Sequence, residues 1–276
     1  MEIPVFVINL KRSVERREHT TRQLNELGIS FQIEEAFDGA ELSDKNISDN
    51  PDFGIFKCGW NSRYLRKEEI GCTLSHIKIY QKMINENIEM ACILEDDNDY
   101  LKNFKDLLNP GILNIVDWDL IYFGHHSGYL TKEAQSRKKT QLIPYNFFIG
   151  EPIEVPHGSY AYIINQKAAR KLVSCIYPIK VPFDLYLGNG QTKEIRTFLI
   201  SPPCVSPNPL FLSTITTDRL ILYLNPFWKA IWGQLRKVYV WIPSLRRFTI
   251  WIYVNRNFII RYLRKTGLVK NRYAKM

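Results

Sequence analysis

Residues 3 to 10, IPVFVINL, form a mainly apolar run bounded by Pro4 and by the basic pair Lys11 and Arg12. It is short and rich in Val, Ile and Phe, which predicts a buried strand. A helix is expected next: Ser13 offers a cap, Glu15 and Glu18 suit the early turns, and Gly28 after Leu24 and Leu27 is a stop signal. A second strand at FQIEEAF completes a βαβ opening, which favours a parallel sheet. Residues 38–67 are polar, with Gly39, Pro51, Gly54 and Gly59 among the charges, so a long loop with one short helical turn is expected. From Glu68 to Asn87, Ile70, Leu74, Ile77, Tyr80 and Ile84 recur at steps of three and four, the spacing of an amphipathic helix. That helix leads into a strand at MACIL.

The pattern continues in α/β fashion. DLIYFG at 119–124 reads as a short buried strand, and residues 127–147 as a polar excursion containing SRKKTQ. EPIEVPHGSYAYIIN predicts two strands with a turn near His157 and Gly158, and QKAARKLVSCI a helix. Pro182 suits a helix start in VPFDLYL, and TFLISPPCV reads as a last strand.

Charge divides the chain. The net +9 hides a tail, residues 219–276, with 13 Lys or Arg and no Asp or Glu, so residues 1–218 carry a net −4. The tail also holds Trp228, Trp232, Trp241 and Trp251. Residues 1–218 are therefore read as one α/β domain and 219–276 as a basic, amphipathic extension. Basic residues recur too often in it for a spanning helix, but segments such as RRFTIWIYVNRNFIIRYLRK have the composition of helices that lie on an anionic membrane surface. Packing on the domain ranks second and nucleic acid a distant third, because aliphatic residues are too abundant for a solvated strip. Five cysteines without a close pair form neither a disulfide framework nor a zinc knuckle, and no signal peptide is visible, so a cytoplasmic setting is expected.

The most informative stretch is ACILEDDNDY at 91–100, where a strand runs into Glu95, Asp96 and Asp97. Neighbouring carboxylates resist ionising together unless a cation sits among them or water screens them. In an extended segment Glu95 and Asp97 point one way and Asp96 the other. Oxygen donors placed beyond a strand's carboxyl end suit Mg²⁺ or Mn²⁺ bridging substrate phosphates. A solvated loop with a helix cap is the competing reading.

Four stretches together resemble glycosyltransferase family 25: VINLKRSVERR at 7–17, EEIGCTLSH at 68–76, CILEDD at 92–97 and PHGSYAYIIN at 156–165. The resemblance covers roughly residues 3–215 and excludes the tail. It implies a GT-A-like nucleotide-binding domain with a mostly parallel sheet, transferring a sugar, galactose foremost, with inversion from a UDP-sugar donor to a lipid-linked lipooligosaccharide acceptor. It makes Glu95-Asp96-Asp97 the counterpart of the family's acidic metal motif, with Asp97 and Glu95 as ligands of Mn²⁺ or Mg²⁺. Asn9, Arg12 and Arg16 fall where the first strand and helix meet the nucleotide, the two arginines on one helical face where they pair with phosphate or with the acidic cluster. Glu69 contacts sugar hydroxyls or favours its helix N-terminus. Ser75 and His76 lie on a helix beside the site, His76 as a hydrogen-bonded neighbour rather than a catalytic group. His157 and Gly158 line the pocket. Asp184 is the candidate general base, or else a cap on its helix. GT-A members often place a late His on the metal, yet all five histidines here precede residue 158, so another group or water completes the shell.

Overall fold

The computed structural model describes residues 2–58, 61–126, 133–142, 145–154, 156–188, 194–208 and 210–211. The chain separates into two compact units, Met1–Pro207 and Asn208–Met276. The extension expected at 219–276 lies outside the described residues. Among them, no helix is long and apolar enough to cross a membrane.

In chain order the first unit contains β1 (Val5–Asn9), α1 (Val14–Glu26), β2 (Gln32–Glu35), α2 (Asp44–Asp49), β3 (Ile55–Cys58), β4 (Asn61–Tyr64) and α3 (Lys67–Asn85). There follow β5 (Met90–Glu95), β6 (Asn98–Tyr100), α4 (Phe104–Leu107), α5 (Pro110–Leu113), β7 (Leu120–His126) and β8 (Ser136–Leu142). The unit closes with β9 (Phe147–Pro152), β10 (His157–Asn165), α6 (Gln166–Cys175), α7 (Phe183–Gly188), β11 (Thr197–Ser201) and β12 (Val205–Pro207).

One sheet runs β2-β1-β5-β10-β7-β11-β9-β8. Strands β1, β2, β5, β7, β8 and β11 point one way, and β9 and β10 the other. The fold is thus mixed α/β with a sheet mostly parallel in direction. Alternation sorts its two faces. Phe6, Ile8, Ala91, Ile93, Tyr162 and Ile164 share a core with Ile70, Ile77, Tyr80 and Met83 of α3 and Leu172 of α6. Val5, Val7, Cys92, Leu94 and Ile163 share the other with Leu24 of α1 and Phe104 and Leu107 of α4.

Two registers place the site. Ile8 pairs with Glu95, which sets Asn9 and the start of α1 beside the end of β5. Antiparallel β10 pairs Ala161 with Leu94, which brings Gly158, Ser159 and Tyr160 to that same end.

Several expectations are corrected. The segment 38–67 is not one loop: it holds a 3₁₀ turn at Gly39–Glu41, α2, and the β3–β4 hairpin. His157 and Gly158 lie inside β10 rather than at a turn, and β9 pairs with β11 and β8, not with β10. The polar excursion contributes the edge strand β8, and TFLISPPCV divides into β11 and β12, the latter pairing with β6.

Buried His125 on β7 ties three segments together. Its Nε2–H donates to the Ile200 carbonyl at 2.8 Å, and its Nδ1 accepts the Ala134 N–H at 3.2 Å. Burial pushes its pKa down to about 4. The unfolded chain protonates this group near the ordinary value of about 6.5, so its stabilising contribution is complete above that pH and is lost as pH falls toward 4. Urea unfolding is expected to show wild type losing about 3 kcal/mol more than His125→Gln between pH 7 and 4. Parallel pH profiles would refute this.

Candidate active site

Strand β5 ends at Glu95, and Asp96 and Asp97 form the turn into β6. Asn98 clamps that turn, its side-chain amide donating to the carbonyls of Glu95 at 2.8 Å and Tyr160 at 2.7 Å. Alternation therefore holds for Glu95 and Asp96, which face opposite sides, and fails for Asp97. Asp96 accepts Asn9 Nδ2 at 2.6 Å and Arg16 Nη1 at 3.2 Å, while Thr20 Oγ1 donates to its carbonyl at 2.9 Å. The same Arg16 nitrogen lies 3.2 Å from Asp97 Oδ2.

One guanidinium thus pairs with two of the three carboxylates. Burial, then the Glu95 charge, push Asp97 up to about 7 even with Arg16 opposing. Burial raises Asp96 as well, against Arg16 and Asn9. For Glu95, burial acts upward, but His76, Ser159 and Arg16 together hold the carboxyl below its ordinary value. These oxygen donors are short of positive charge, so the residues fit a hard divalent cation. Arg16 anchors the arrangement: Arg16→Met leaves Asp96 and Asp97 without their counter-ion and is expected to cost about 3 kcal/mol in chemical denaturation. A loss below about 1 kcal/mol would mean that water already screens both carboxylates.

On the opposite side, Glu95 Oε1 accepts Ser159 Oγ at 2.7 Å and lies 3.8 Å from His76 Nε2. His76 Nδ1 and Tyr162 OH are 2.8 Å apart, and Tyr80 OH is 2.7 Å from Tyr162 OH. The His76 ring stacks on Phe183, centroids 4.0 Å apart. Burial lowers the His76 pKa and favours the neutral ring. Asp184 follows Phe183 at the start of α7, half-buried. Burial raises the Cys72 thiol, and the charges of Glu95 and Asp184 push it further. The fold therefore brings Asp184 to the cluster that contains Glu95, although Asp184 Oδ1 also accepts the Leu185 N–H at 2.9 Å.

The remaining expected residues divide. Arg12 precedes α1 instead of sharing a helical face with Arg16, because the helix starts after Ser13; it pairs with Asp38 at the surface. Glu69, buried in the first turn of α3, accepts the Arg66 N–H at 2.8 Å as half of a capping box. Ser75 donates to the Gly71 carbonyl at 2.7 Å and accepts the Phe37 N–H at 2.9 Å, which ties α3 to the chain after β2. His157 stacks on His126, centroids 5.9 Å apart. Gly158 has φ +101°, and a Cβ there would come within 2.3 Å of the Tyr160 ring, so glycine lets that ring lie against the strand. Cys72, Ser159, Tyr160, Tyr162, Thr20 and Asn98 escaped sequence reasoning. Only Cys72 carried a usable signal, its four-residue spacing from His76.

The model of glycosyltransferase family 25 (LPS biosynthesis protein) matches residues 2–187. Procollagen galactosyltransferase 1-B of Xenopus laevis is 29% identical over 228 residues, covering 74% of this chain and 35% of the relative. A glycosyltransferase 25 family member of Aedes aegypti is 33% identical over 197 residues, covering 66% of this chain and 30% of the relative. A bovine relative named "probable inactive glycosyltransferase 25 family member 3" is 29% identical over 194 residues, covering 66% of this chain and 31% of its own. The chain thus spans about a third of the length of these relatives.

Proposed function

Because the chain belongs to glycosyltransferase family 25, we propose that it is a GT-A-like, metal-assisted enzyme that moves a hexose, galactose foremost, from a UDP-sugar onto a glycan acceptor. The observation that carries this reading is the charge-starved turn Glu95–Asp97 at the end of β5, flanked by Asn9 and Arg16 of the first βα unit. Asp97 with Glu95 would hold Mn²⁺ or Mg²⁺, which supplies charge neutralisation for the departing UDP. Arg16 keeps the turn in shape, Ser159 orients Glu95, and Asp184 takes the proton of the acceptor hydroxyl in an inverting transfer.

Galactose is supported by the names of the procollagen galactosyltransferase relatives. The family description favours a lipopolysaccharide or lipooligosaccharide core as the acceptor, and the basic, aromatic composition of residues 219–276 favours finding it on the cytoplasmic face of an anionic membrane. A second reading, a silent carbohydrate-binding protein of the same fold, is favoured by the likeness to the bovine relative. One experiment decides: UDP release from a panel of UDP-sugars, with Mn²⁺ or with EDTA, in the presence and absence of truncated lipooligosaccharide. Metal-dependent, acceptor-stimulated release from UDP-galactose is expected. Glycan binding without release from any donor would establish the silent protein.

A further inference from the structure

The structure assigns a second cation site, of different chemistry, to Cys72, His76 and Glu95: we infer that it takes a borderline transition ion of the Zn²⁺ class. Cys72 and His76 stand four residues apart on α3, and Glu95 reaches them from the end of β5. Their ligand atoms all lie within 4.8 Å of one another, and His76 Nε2 is 3.8 Å from Glu95 Oε1. A tetrahedral ion with bonds of about 2.0–2.3 Å needs donors about 3.3–3.8 Å apart, so closure asks for movements of about 1 Å.

An independent observation points to a ligand. The His76 side chain is 1% exposed, and among the described residues its Nε2 makes no hydrogen bond, facing Glu95 Oε1 across 3.8 Å. Such an orphaned nitrogen is costly in a folded interior unless something occupies it. The groups behind the ligands are also those a metal site requires. Tyr162 holds Nδ1 of His76, fixing the ring so that Nε2 aims at Glu95, and Ser159 holds Glu95 Oε1. The Glu95 side chain, 29% exposed, gives the ion a way in. On binding, the Cys72 thiol passes its proton to solvent as the sulfur–metal bond forms. One nitrogen, one sulfur and one carboxylate oxygen select against Mg²⁺ and leave a fourth position open. The site shares Glu95 with the cation proposed for transfer, whereas Cys72 and His76 have no part in that proposal, so the two readings are tested separately.

The test uses the full chain carrying Cys58→Ser and Cys175→Ser, so that neither Cys58 nor the exposed Cys175 supplies the sulfur. One equivalent of Co²⁺ is expected to produce a thiolate-to-cobalt charge-transfer band. Cys72→Ser should abolish the band, Tyr162→Phe should weaken binding about 10- to 100-fold, and Asp97→Asn should leave it intact while suppressing transfer. Where Cys72→Ser does not fold, X-ray absorption of the zinc-loaded Cys72 protein decides, with one sulfur neighbour at about 2.3 Å expected. A charge-transfer band that survives Cys72→Ser, no band at all, or a zinc shell of oxygen alone would overturn the assignment. Failure of UDP release together with an intact band would remove the transferase reading and leave the site.

Discussion

Asp97→Asn is expected to lower kcat for UDP-sugar turnover by about 10²–10³-fold and to make the residual rate indifferent to Mn²⁺ or EDTA. Asp96 and Asp97 share one guanidinium at the end of β5, and burial with the Glu95 charge leaves Asp97 poorly placed as an anion, pushed up to about 7. A divalent ion held by Asp97 and Glu95 would relieve that repulsion and supply charge neutralisation for the diphosphate. A metal clamp on a phosphoryl oxygen provides several kcal/mol of charge stabilisation, and each 1.36 kcal/mol is a factor of ten in rate. The asparagine keeps volume and one oxygen but removes the charge. The fold should survive, because Asp96 keeps its bonds from Asn9, Arg16 and Thr20. Calorimetry with UDP and Mn²⁺ should show the affinity falling in parallel with kcat, whereas UDP without metal should bind both proteins alike. An unchanged response to Mn²⁺ would place the ion elsewhere.

How much of this site the sequence discloses follows from which physical period each part obeys. The strands Val5–Asn9 and Met90–Glu95 were legible as continuous apolar runs because both faces, between which their side chains alternate, are buried, and the helix Lys67–Asn85 because one-sided burial leaves 3.6-residue spacing. The same rule correctly separated Glu95 from Asp96 and failed one residue later, because the chain turns at Asp96 and turning ends alternation. Strand direction leaves no mark on a periodic pattern. The antiparallel insertion of β10 was therefore invisible, and with it the delivery of Ser159, Tyr160 and Tyr162 to the end of β5. Arg12 and Arg16 show how a small boundary error changes a role: with the helix starting at Val14, the first arginine leaves the face that the second occupies. The β3–β4 hairpin went unread because its strands, IFKC and NSRY, are only four residues each, too short for a period to show.

Asp184→Asn is expected to cut kcat by about 10²–10⁴-fold, the usual contribution of a positioned proton acceptor, while donor affinity stays within about twofold. The Phe183 ring lies against buried His76 and so fixes the start of α7 against α3. That contact delivers the next side chain, half-buried, to the region of Cys72 and Tyr122, on both of which its charge acts. Tyr122 OH is itself buried and has no hydrogen-bond partner among the described residues. One Asp184 oxygen accepts the Leu185 N–H, and a carboxylate carries about four lone-pair sites in all. Asparagine preserves that local bond through its carbonyl oxygen but cannot take up a proton, so a merely structural role predicts near-normal kcat and a basic role predicts its collapse. The split between kcat and donor binding, read from turnover and from UDP calorimetry on the same preparation, separates the two. Normal turnover in the asparagine variant would assign Asp184 to the start of α7 alone and send the search for the base to another carboxylate.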